Sequence, residues 1–217
     1  MAKKEYYSDD IVVSYDVKRC IHAAECIRGL PAVFDTKKRP WIQPDQAQAN
    51  DVAEVIARCP TGALHFERRD GGAEEAAPAE NTIQVDPDGA LYVRGNIEIT
   101  TAEGDLLLQD TRVALCRCGA SQNKPFCDNS HHQIDFKASG ELGENWLDQK
   151  EIEDGDGKLK ITSAKNGPLL VQGPVKIFSA DGTSSCTGTS GDLCRCGGSS
   201  NKPFCDGTHK RIGFEAA

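Results

Sequence analysis

Alternation of apolar and polar residues predicts the strands of this chain, and it occurs in two stretches that match each other. Ile83 to Ile99 reads IQVDPDGALYVRGNIEI, and Ile161 to Ile177 reads ITSAKNGPLLVQGPVKI. Apolar side chains at every second position predict strands with one buried face. The shared glycines predict turns or close backbone approaches. Because the stretches align without a gap at an offset of 78 residues, the chain contains an internal duplication.

The first third of the chain has a different pattern, with helical spacing between short strands. A strand is predicted within residues 5–16, a short helix within 23–30 and a second strand at 63–69. Four apolar side chains at helical spacing predict a helix that ends at Pro60: Val52, Val55, Ile56 and Cys59. These elements predict a small domain over residues 1–69.

The segments between these units have the composition of connectors. Residues 70–81 contain four acidic residues and neither a basic nor an aromatic one, which predicts an acidic flexible linker. A second connector, residues 139–159, is polar and rich in glycine, with Trp146 and Leu147 as its strong apolar anchors. The predicted class is α+β, with the two repeats at 82–138 and 160–217.

Composition and charge narrow the class of protein. Only 38% of the residues are hydrophobic and 6% aromatic, and small units with little apolar surface usually need disulfides or a metal. The net charge of -8 argues against nucleic acid and against an anionic membrane surface as partners. The sequence shows neither a membrane-spanning apolar run nor a signal peptide. We therefore expect a cytoplasmic protein in which thiols stay reduced and the clustered ones among the ten cysteines bind metal.

Most of the cysteines lie in a motif that each repeat carries once. Residues 116–131 read CRCGASQNKPFCDNSH and residues 194–209 read CRCGGSSNKPFCDGTH, so both follow C-x-C-x8-C-x3-H and agree at 12 of 16 positions. Two cysteines at i and i+2 can direct both sulfurs to one ion. A cysteine and a histidine at i and i+4 on a helical turn lie on one face. The duplicated set of three thiols and one imidazole predicts a metal site that is used twice.

The donor set alone leaves the metal open. A Cys3His set is a normal tetrahedral zinc site, and zinc would stabilise a small fold. A [2Fe–2S] cluster also takes four protein ligands, two for each iron. Zinc predicts an interaction module without a redox role, whereas the cluster predicts an iron–sulfur protein.

The pattern C-x-C-x2-S-x3-P-x-C-D-G-T-H resembles the signature of the CDGSH iron–sulfur family, the mitoNEET-like proteins. Residues 194–209 fit it throughout, and residues 116–131 depart at Asn129, where the family has glycine. Because asparagine tolerates positive φ, we expect the turn to form. The resemblance implies a [2Fe–2S] cluster in each motif, with the C-x-C pair on one iron and the other two ligands on the second. The implied ligands are Cys116, Cys118, Cys127 and His131, and then Cys194, Cys196, Cys205 and His209.

The resemblance also implies an architecture and a role. Members of the family pack two motifs around a two-fold axis under an intertwined β-cap, either as homodimers or within one chain. The tandem units would then form an intramolecular pseudo-dimer in a monomeric protein. The implied role is non-catalytic: electron transfer, cluster transfer or redox sensing, with a redox partner protein or a cluster acceptor as partner. The redox subunit of an enzyme encoded elsewhere is an alternative.

Three cysteines of the N-terminal unit form a weaker constellation: Cys20, Cys26 and Cys59. Residues 5–69 resemble the divergent mono-cluster ferredoxin family, but Ala23 stands where the second ligand belongs. The resemblance implies a ferredoxin-like domain in which three thiolates hold a [3Fe–4S] cluster, or a [4Fe–4S] cluster whose fourth iron takes water or a nearby side chain. The alternative is a domain that has lost its cluster and buries free cysteines. His22 adjoins the vacant position, but neighbouring side chains point in different directions, so His22 is not expected to be a ligand.

Overall fold

The computed structural model describes residues 3–149 and 157–216. The chain divides into two compact units, Met1–Ala76 and Ala77–Ala217, and both combine short helices with β-sheet. The mixed α+β class predicted from the sequence is therefore confirmed. No helix within the described ranges is long and apolar enough to cross a membrane. The part of the predicted connector at 150–156 lies outside the described residues.

The described residues of the N-terminal unit form a three-stranded antiparallel sheet with two α-helices and a short 3-10 helix, Pro44–Gln46. Its elements are β1 (Lys4–Tyr7), β2 (Ile11–Tyr15), α1 (Glu25–Gly29), α2 (Ala49–Ala57) and β3 (Leu64–Arg68). The strand order is β1-β2-β3. The helix predicted within 23–30 and the strand predicted at 63–69 are confirmed as α1 and β3.

Two details of this unit differ from the sequence prediction. The strand predicted within residues 5–16 is confirmed as β2, but a second strand, β1, precedes it across a turn in which the Ser8 backbone N–H donates to the Ile11 carbonyl over 3.0 Å. The helix α2 buries Val52 and Ile56 completely, as predicted. It ends at Ala57, so Cys59 lies beyond its C-terminus and packs against the same core.

The acidic segment predicted as a linker begins by packing against β3. The Glu75 carboxylate lies 2.8 Å from Nδ1 of His65, and the Glu74 carboxylate accepts the Arg68 backbone N–H over 3.3 Å. Composition alone does not reveal such contacts, because acidic residues are equally common in solvated linkers. The first part of this segment therefore belongs to the N-terminal unit.

The described residues of the second unit form six strands and two short helices, and each repeat supplies half of them. The first repeat supplies β4 (Thr82–Val85), β5 (Leu91–Thr101), β6 (Leu106–Leu115) and α3 (Ser130–Gln133). The second supplies β7 (Leu159–Ser163), β8 (Leu169–Phe178), β9 (Ser185–Leu193) and α4 (Thr208–Arg211). Within each repeat the three strands pair in sequence order and antiparallel.

Strands of the two repeats also pair with each other, in parallel. The strand β4 pairs with β8, so that Ile83 lies opposite Ile177, and β5 pairs with β7, so that Ile99 lies opposite Ile161. The two pairings are equivalent, because Ile161 lies 78 residues after Ile83 and Ile177 lies 78 residues after Ile99. Each repeat therefore completes the sheet of its counterpart, and the two exchanges are equivalent.

The core of the second unit consists of the alternate apolar residues that the pattern predicts. In β5, for example, Leu91, Val93, Ile97 and Ile99 are at most 1% exposed, whereas the alternating polar residues are exposed or half-buried. Burial of such a side chain contributes about 1.5–3 kcal/mol. Of the two connector anchors, Leu147 joins this core, whereas Trp146 remains 44% exposed.

Candidate metal centres

Each metal motif begins directly after the buried end of a strand. The last four residues of β6 are buried, and Cys116 follows directly. The loop then folds back, because the Cys116 N–H donates to the Pro125 carbonyl over 2.8 Å and the Cys127 N–H donates to the Ala114 carbonyl over 2.9 Å. The second motif repeats these bonds at 2.7 and 2.9 Å, from Cys194 to Pro203 and from Cys205 to Asp192. Backbone hydrogen bonds therefore place the third cysteine beside the C-x-C pair in both motifs.

The eight predicted donors form four close pairs. In the first motif the Cys116 and Cys118 sulfurs are 3.8 Å apart, and the Cys127 sulfur is 3.6 Å from Nδ1 of His131. The corresponding distances in the second motif are 3.9 Å, from Cys194 to Cys196, and 3.3 Å, from Cys205 to His209. A tetrahedral metal with metal–sulfur bonds of about 2.3 Å separates two of its sulfur ligands by about 3.8 Å. Each pair therefore has the spacing of two ligands on one metal.

The four donors of a motif do not converge on a single point. Within the described ranges, no group of three or more His, Cys, Asp or Glu side chains is placed to hold one metal ion. A mononuclear zinc site needs all four donors at mutual tetrahedral spacing. A [2Fe–2S] cluster needs two separate pairs, one on each iron. The donor geometry fits the two-iron group better than the single ion.

Burial controls the protonation of the donors. It raises the pKa of the Cys127 thiol to about 11 and lowers the pKa of His131, so this imidazole is neutral at pH 7. Within the C-x-C pair, the hydrogen bond from Cys116 lowers the pKa of Cys118, while the same bond raises the pKa of Cys116. A neutral imidazole can ligate directly, whereas the thiols must lose protons when metal binds. The first motif is the more deeply buried, because Cys196 and Cys205 of the second are only half-buried.

Backbone N–H groups point at the sulfurs that would carry negative charge. Ala120 donates to the Cys118 sulfur over 3.5 Å, and Gly198 donates to the Cys196 sulfur over 3.4 Å. Asn129 donates to the Cys127 sulfur over 3.5 Å. Such bonds stabilise a thiolate over a thiol. Asn129 has a φ of 70°, and its counterpart Gly207 has 81°, which confirms that asparagine supports the predicted turn.

A carboxylate ties the two ends of each metal loop together. Asp206 accepts the Ser200 N–H over 2.9 Å and the Thr208 N–H over 3.0 Å, and these bonds lower the pKa of its carboxyl group. In the first motif Asp128 accepts the N–H groups of Gln122 and Ser130 over 2.8 and 3.0 Å. Each carboxylate therefore connects the start of the short helix to the loop that follows the C-x-C pair.

Sequence reasoning missed two buried arginines, Arg117 and Arg195, each 1% exposed between the cysteines of a C-x-C pair. Arg117 donates to the carbonyls of Asp86 and Gly89 over 2.5 and 3.1 Å. Arg195 makes the equivalent bonds, at the same distances, to Ala164 and Gly167. Each guanidinium also lies over an aromatic ring, Phe136 or Phe214, at 5.4 or 5.5 Å from the ring centroid. The repetition of arginine at the same position in both motifs was the available signal.

The two motifs lie side by side in the second unit. Cys118 and Cys196 form an antiparallel backbone bridge. Gly119 has a φ of 83°, and a Cβ there would lie 2.7 Å from the Cys196 carbonyl oxygen; Gly197 faces the Cys118 carbonyl in the same way, at 2.6 Å. Burial lowers the pKa of Arg195, and the negative charge that Cys116 of the other motif carries when ionised opposes that shift. The structure therefore brings both predicted sites into one neighbourhood.

The N-terminal cysteines also come together. Cys20, Cys26 and Cys59 line one largely apolar cavity. Burial raises the pKa of Cys26 to about 11, and the charges of the other two thiols raise it further. His22 lines the same cavity, with Nδ1 4.0 Å from the Cys20 sulfur, so the expectation that it points elsewhere is wrong.

Comparison with known proteins finds matches to two families along the chain. The family described as iron-binding zinc finger, CDGSH type, matches residues 88–132 and again residues 166–210. The family described as divergent 4Fe-4S mono-cluster matches residues 6–69. An uncharacterized protein, YjdI, of Escherichia coli (strain K12) is 36% identical over 64 residues, which cover 30% of this chain and 84% of YjdI. The same protein of Escherichia coli O157:H7 gives the same figures.

No solved structure matches the chain. The two CDGSH matches contain all eight donors of the paired sites, and the mono-cluster match contains the three cysteines of the N-terminal cavity. Both families are defined by iron or iron–sulfur binding. The chain is therefore an iron–sulfur protein that belongs to the CDGSH iron-binding family, with two CDGSH copies behind a divergent 4Fe-4S mono-cluster domain.

Proposed function

We propose that this protein is a non-catalytic electron carrier whose two CDGSH motifs each hold one [2Fe–2S] cluster. The proposal rests on the separation of the donors of each motif into two pairs at 3.3–3.9 Å. The C-x-C pair holds one iron, and the cysteine–histidine pair holds the other. The proposed ligands are Cys116, Cys118, Cys127 and His131, and Cys194, Cys196, Cys205 and His209.

When bound, each cluster supplies a one-electron redox centre. The protein supplies burial, the N–H donors to the sulfurs, and one neutral imidazole in place of a fourth thiolate. An imidazole leaves the cluster less negative, which favours its reduced state, the direction that Rieske centres show with two histidines. Redox tuning of this kind serves an electron carrier, with a redox partner protein as donor or acceptor. Cluster transfer to an acceptor protein uses the same sites.

The tandem units are proposed to form an intramolecular pseudo-dimer. The reciprocal parallel pairings, β4 with β8 and β5 with β7, support it, because each repeat gives a strand to its counterpart. The bridge between Cys118 and Cys196 supports it as well. This arrangement keeps the two clusters close, which favours electron exchange within one chain.

We also propose that the N-terminal unit holds a [3Fe–4S] or [4Fe–4S] cluster. The support is the shared cavity of Cys20, Cys26 and Cys59 and the match of residues 6–69 to a mono-cluster family. The protein would then present three redox centres to its partners.

Cys196→Ala should remove one cluster and leave the others in place. After anaerobic purification, the variant should contain about two irons and two acid-labile sulfides fewer than the unchanged chain. Cys186→Ser is the matched control, because Cys186 is half-buried in β9, away from the donor pairs, and its replacement should leave both counts unchanged. Equal losses in the two variants, or no loss in Cys196→Ala, would refute the proposed ligand set.

A further inference from the structure

Resting on the proposed N-terminal cluster, we propose that His22 is its fourth protein ligand. The site would then consist of three thiolates and one imidazole, with Nδ1 of His22 as the nitrogen donor. It would hold a complete [4Fe–4S] cluster, one ligand on each iron, in place of a three-iron cluster with an open corner.

The position of His22 beside the three cysteines supports its role as a ligand. His22 lines the same cavity as the three cysteines, and its Nδ1 lies 4.0 Å from the Cys20 sulfur. The cysteine–histidine pairs of the CDGSH motifs lie at 3.6 and 3.3 Å and also face each other through Nδ1. Imidazole is a normal ligand for iron. The N-terminal cavity therefore contains four donors of the kinds that hold iron–sulfur clusters.

The second observation explains why the histidine reaches the cavity. The backbone is left-handed at His22 and again at Ala24, with φ of 56° and 64°. Left-handed backbone costs a residue with a Cβ about 1–2 kcal/mol. These two bends break the alternation of side-chain directions that an extended segment would have. As a result, His22 turns toward Cys20, while Ala23, at the position of the missing ligand, contributes only a methyl group.

The other donors along the cavity are less suited to iron. The Glu25 carboxylate lies 3.1 Å from the Arg28 guanidinium, with which it forms an ion pair. The Thr61 hydroxyl accepts the Ala63 N–H over 3.2 Å and lies 3.6 Å from the Cys59 sulfur. Burial raises the pKa of Tyr15, so its phenol keeps its proton. His22 is the remaining side-chain donor of the cavity, exposed at its mouth and next to the Cys20 sulfur.

Electron paramagnetic resonance of the full chain tests this assignment. Oxidised [2Fe–2S] and [4Fe–4S] clusters are silent, so an oxidised [3Fe–4S] cluster is seen without interference from the CDGSH sites. The account predicts a silent oxidised spectrum for the unchanged protein and for His22→Cys. In His22→Ala, mild ferricyanide should take one electron from the cluster and release one Fe2+, so that a [3Fe–4S] signal appears and about one iron is lost. His65→Ala, in the same unit but paired with Glu75, is the matched control and should behave like the unchanged protein.

The outcomes separate the two proposals. A three-iron signal of equal intensity in the unchanged chain and in His22→Ala would overturn the role of His22 while leaving the N-terminal cluster in place. Iron counts that do not fall in Cys26→Ala would overturn the N-terminal cluster itself. Formation of a stable four-iron cluster in His22→Ala, resistant to ferricyanide, would also contradict the assignment.

Discussion

Replacing Arg195 with methionine is expected to destabilise the second unit by about 3 kcal/mol or more, because it leaves buried carbonyls without donors. The Ala164 and Gly167 carbonyls and the Ser163 hydroxyl all accept from this guanidinium. Methionine fills a similar volume but donates no hydrogen bond. An apolar group can replace a buried charge when the partner of that charge is replaced as well. The partners of Arg195 include backbone carbonyls, which no substitution can remove. The expected fall in melting temperature, followed by circular dichroism, is roughly 10 °C.

Arg94→Met is the matched control for that experiment. Arg94 is exposed on β5, so the same change of side chain there should alter the stability by no more than about 0.5 kcal/mol. The melting temperature of Arg195→Lys should lie between those of the two methionine variants. Lysine keeps the charge but lacks the planar guanidinium that donates to both carbonyls. If Arg195→Met melts at the same temperature as Arg94→Met, the arginine does not hold the turn between β7 and β8 in the way described.

Replacing Gly119 with alanine is expected to weaken cluster retention in both motifs, although the change lies in the first. A Cβ at Gly119 would lie 2.7 Å from the Cys196 carbonyl oxygen, closer than real Cβ contacts allow. The bridge between Cys118 and Cys196 must therefore shift, and both C-x-C loops shift with it. The measurement is the release of iron to an excess of chelator. About four irons, two from each motif, should leave several-fold faster than from the unchanged protein.

Gly104→Ala separates backbone strain from this contact. Gly104 also has a positive φ, 92°, but a Cβ there would meet nothing within 4 Å. Both variants carry the cost of left-handed backbone, about 1–2 kcal/mol. Only Gly119→Ala adds the contact with the other motif. Accelerated release of about two irons alone, or equal rates in the two variants, would contradict the proposed coupling of the sites.

Local features of the second unit were predictable because they depend on short stretches of sequence. Alternation identified the buried faces of β5 and β8, and the duplicated spacing identified the donors that the structure pairs. The tolerance of asparagine for positive φ predicted the turn at Asn129. Each of these depends on a residue and its immediate neighbours.

Non-local features were not predictable from the pattern itself. Alternation shows that β4 has a buried face, but not that its second neighbour is β8 of the other repeat. The burial of Arg117 depends on carbonyls about thirty residues earlier in the chain, so its charge suggested exposure. The direction of His22 depends on two left-handed residues that are not glycine, which sequence propensities do not indicate.

The CDGSH motifs are proposed to bind iron–sulfur clusters through paired donors and not single zinc ions. The most direct measurement is the iron, zinc and acid-labile sulfide content of the full chain carrying Cys20→Ala, Cys26→Ala and Cys59→Ala, purified without oxygen. We expect about four irons and four sulfides per chain, no zinc, and a red-brown colour that bleaches with dithionite. About two zinc ions per chain in a colourless protein without sulfide would contradict it.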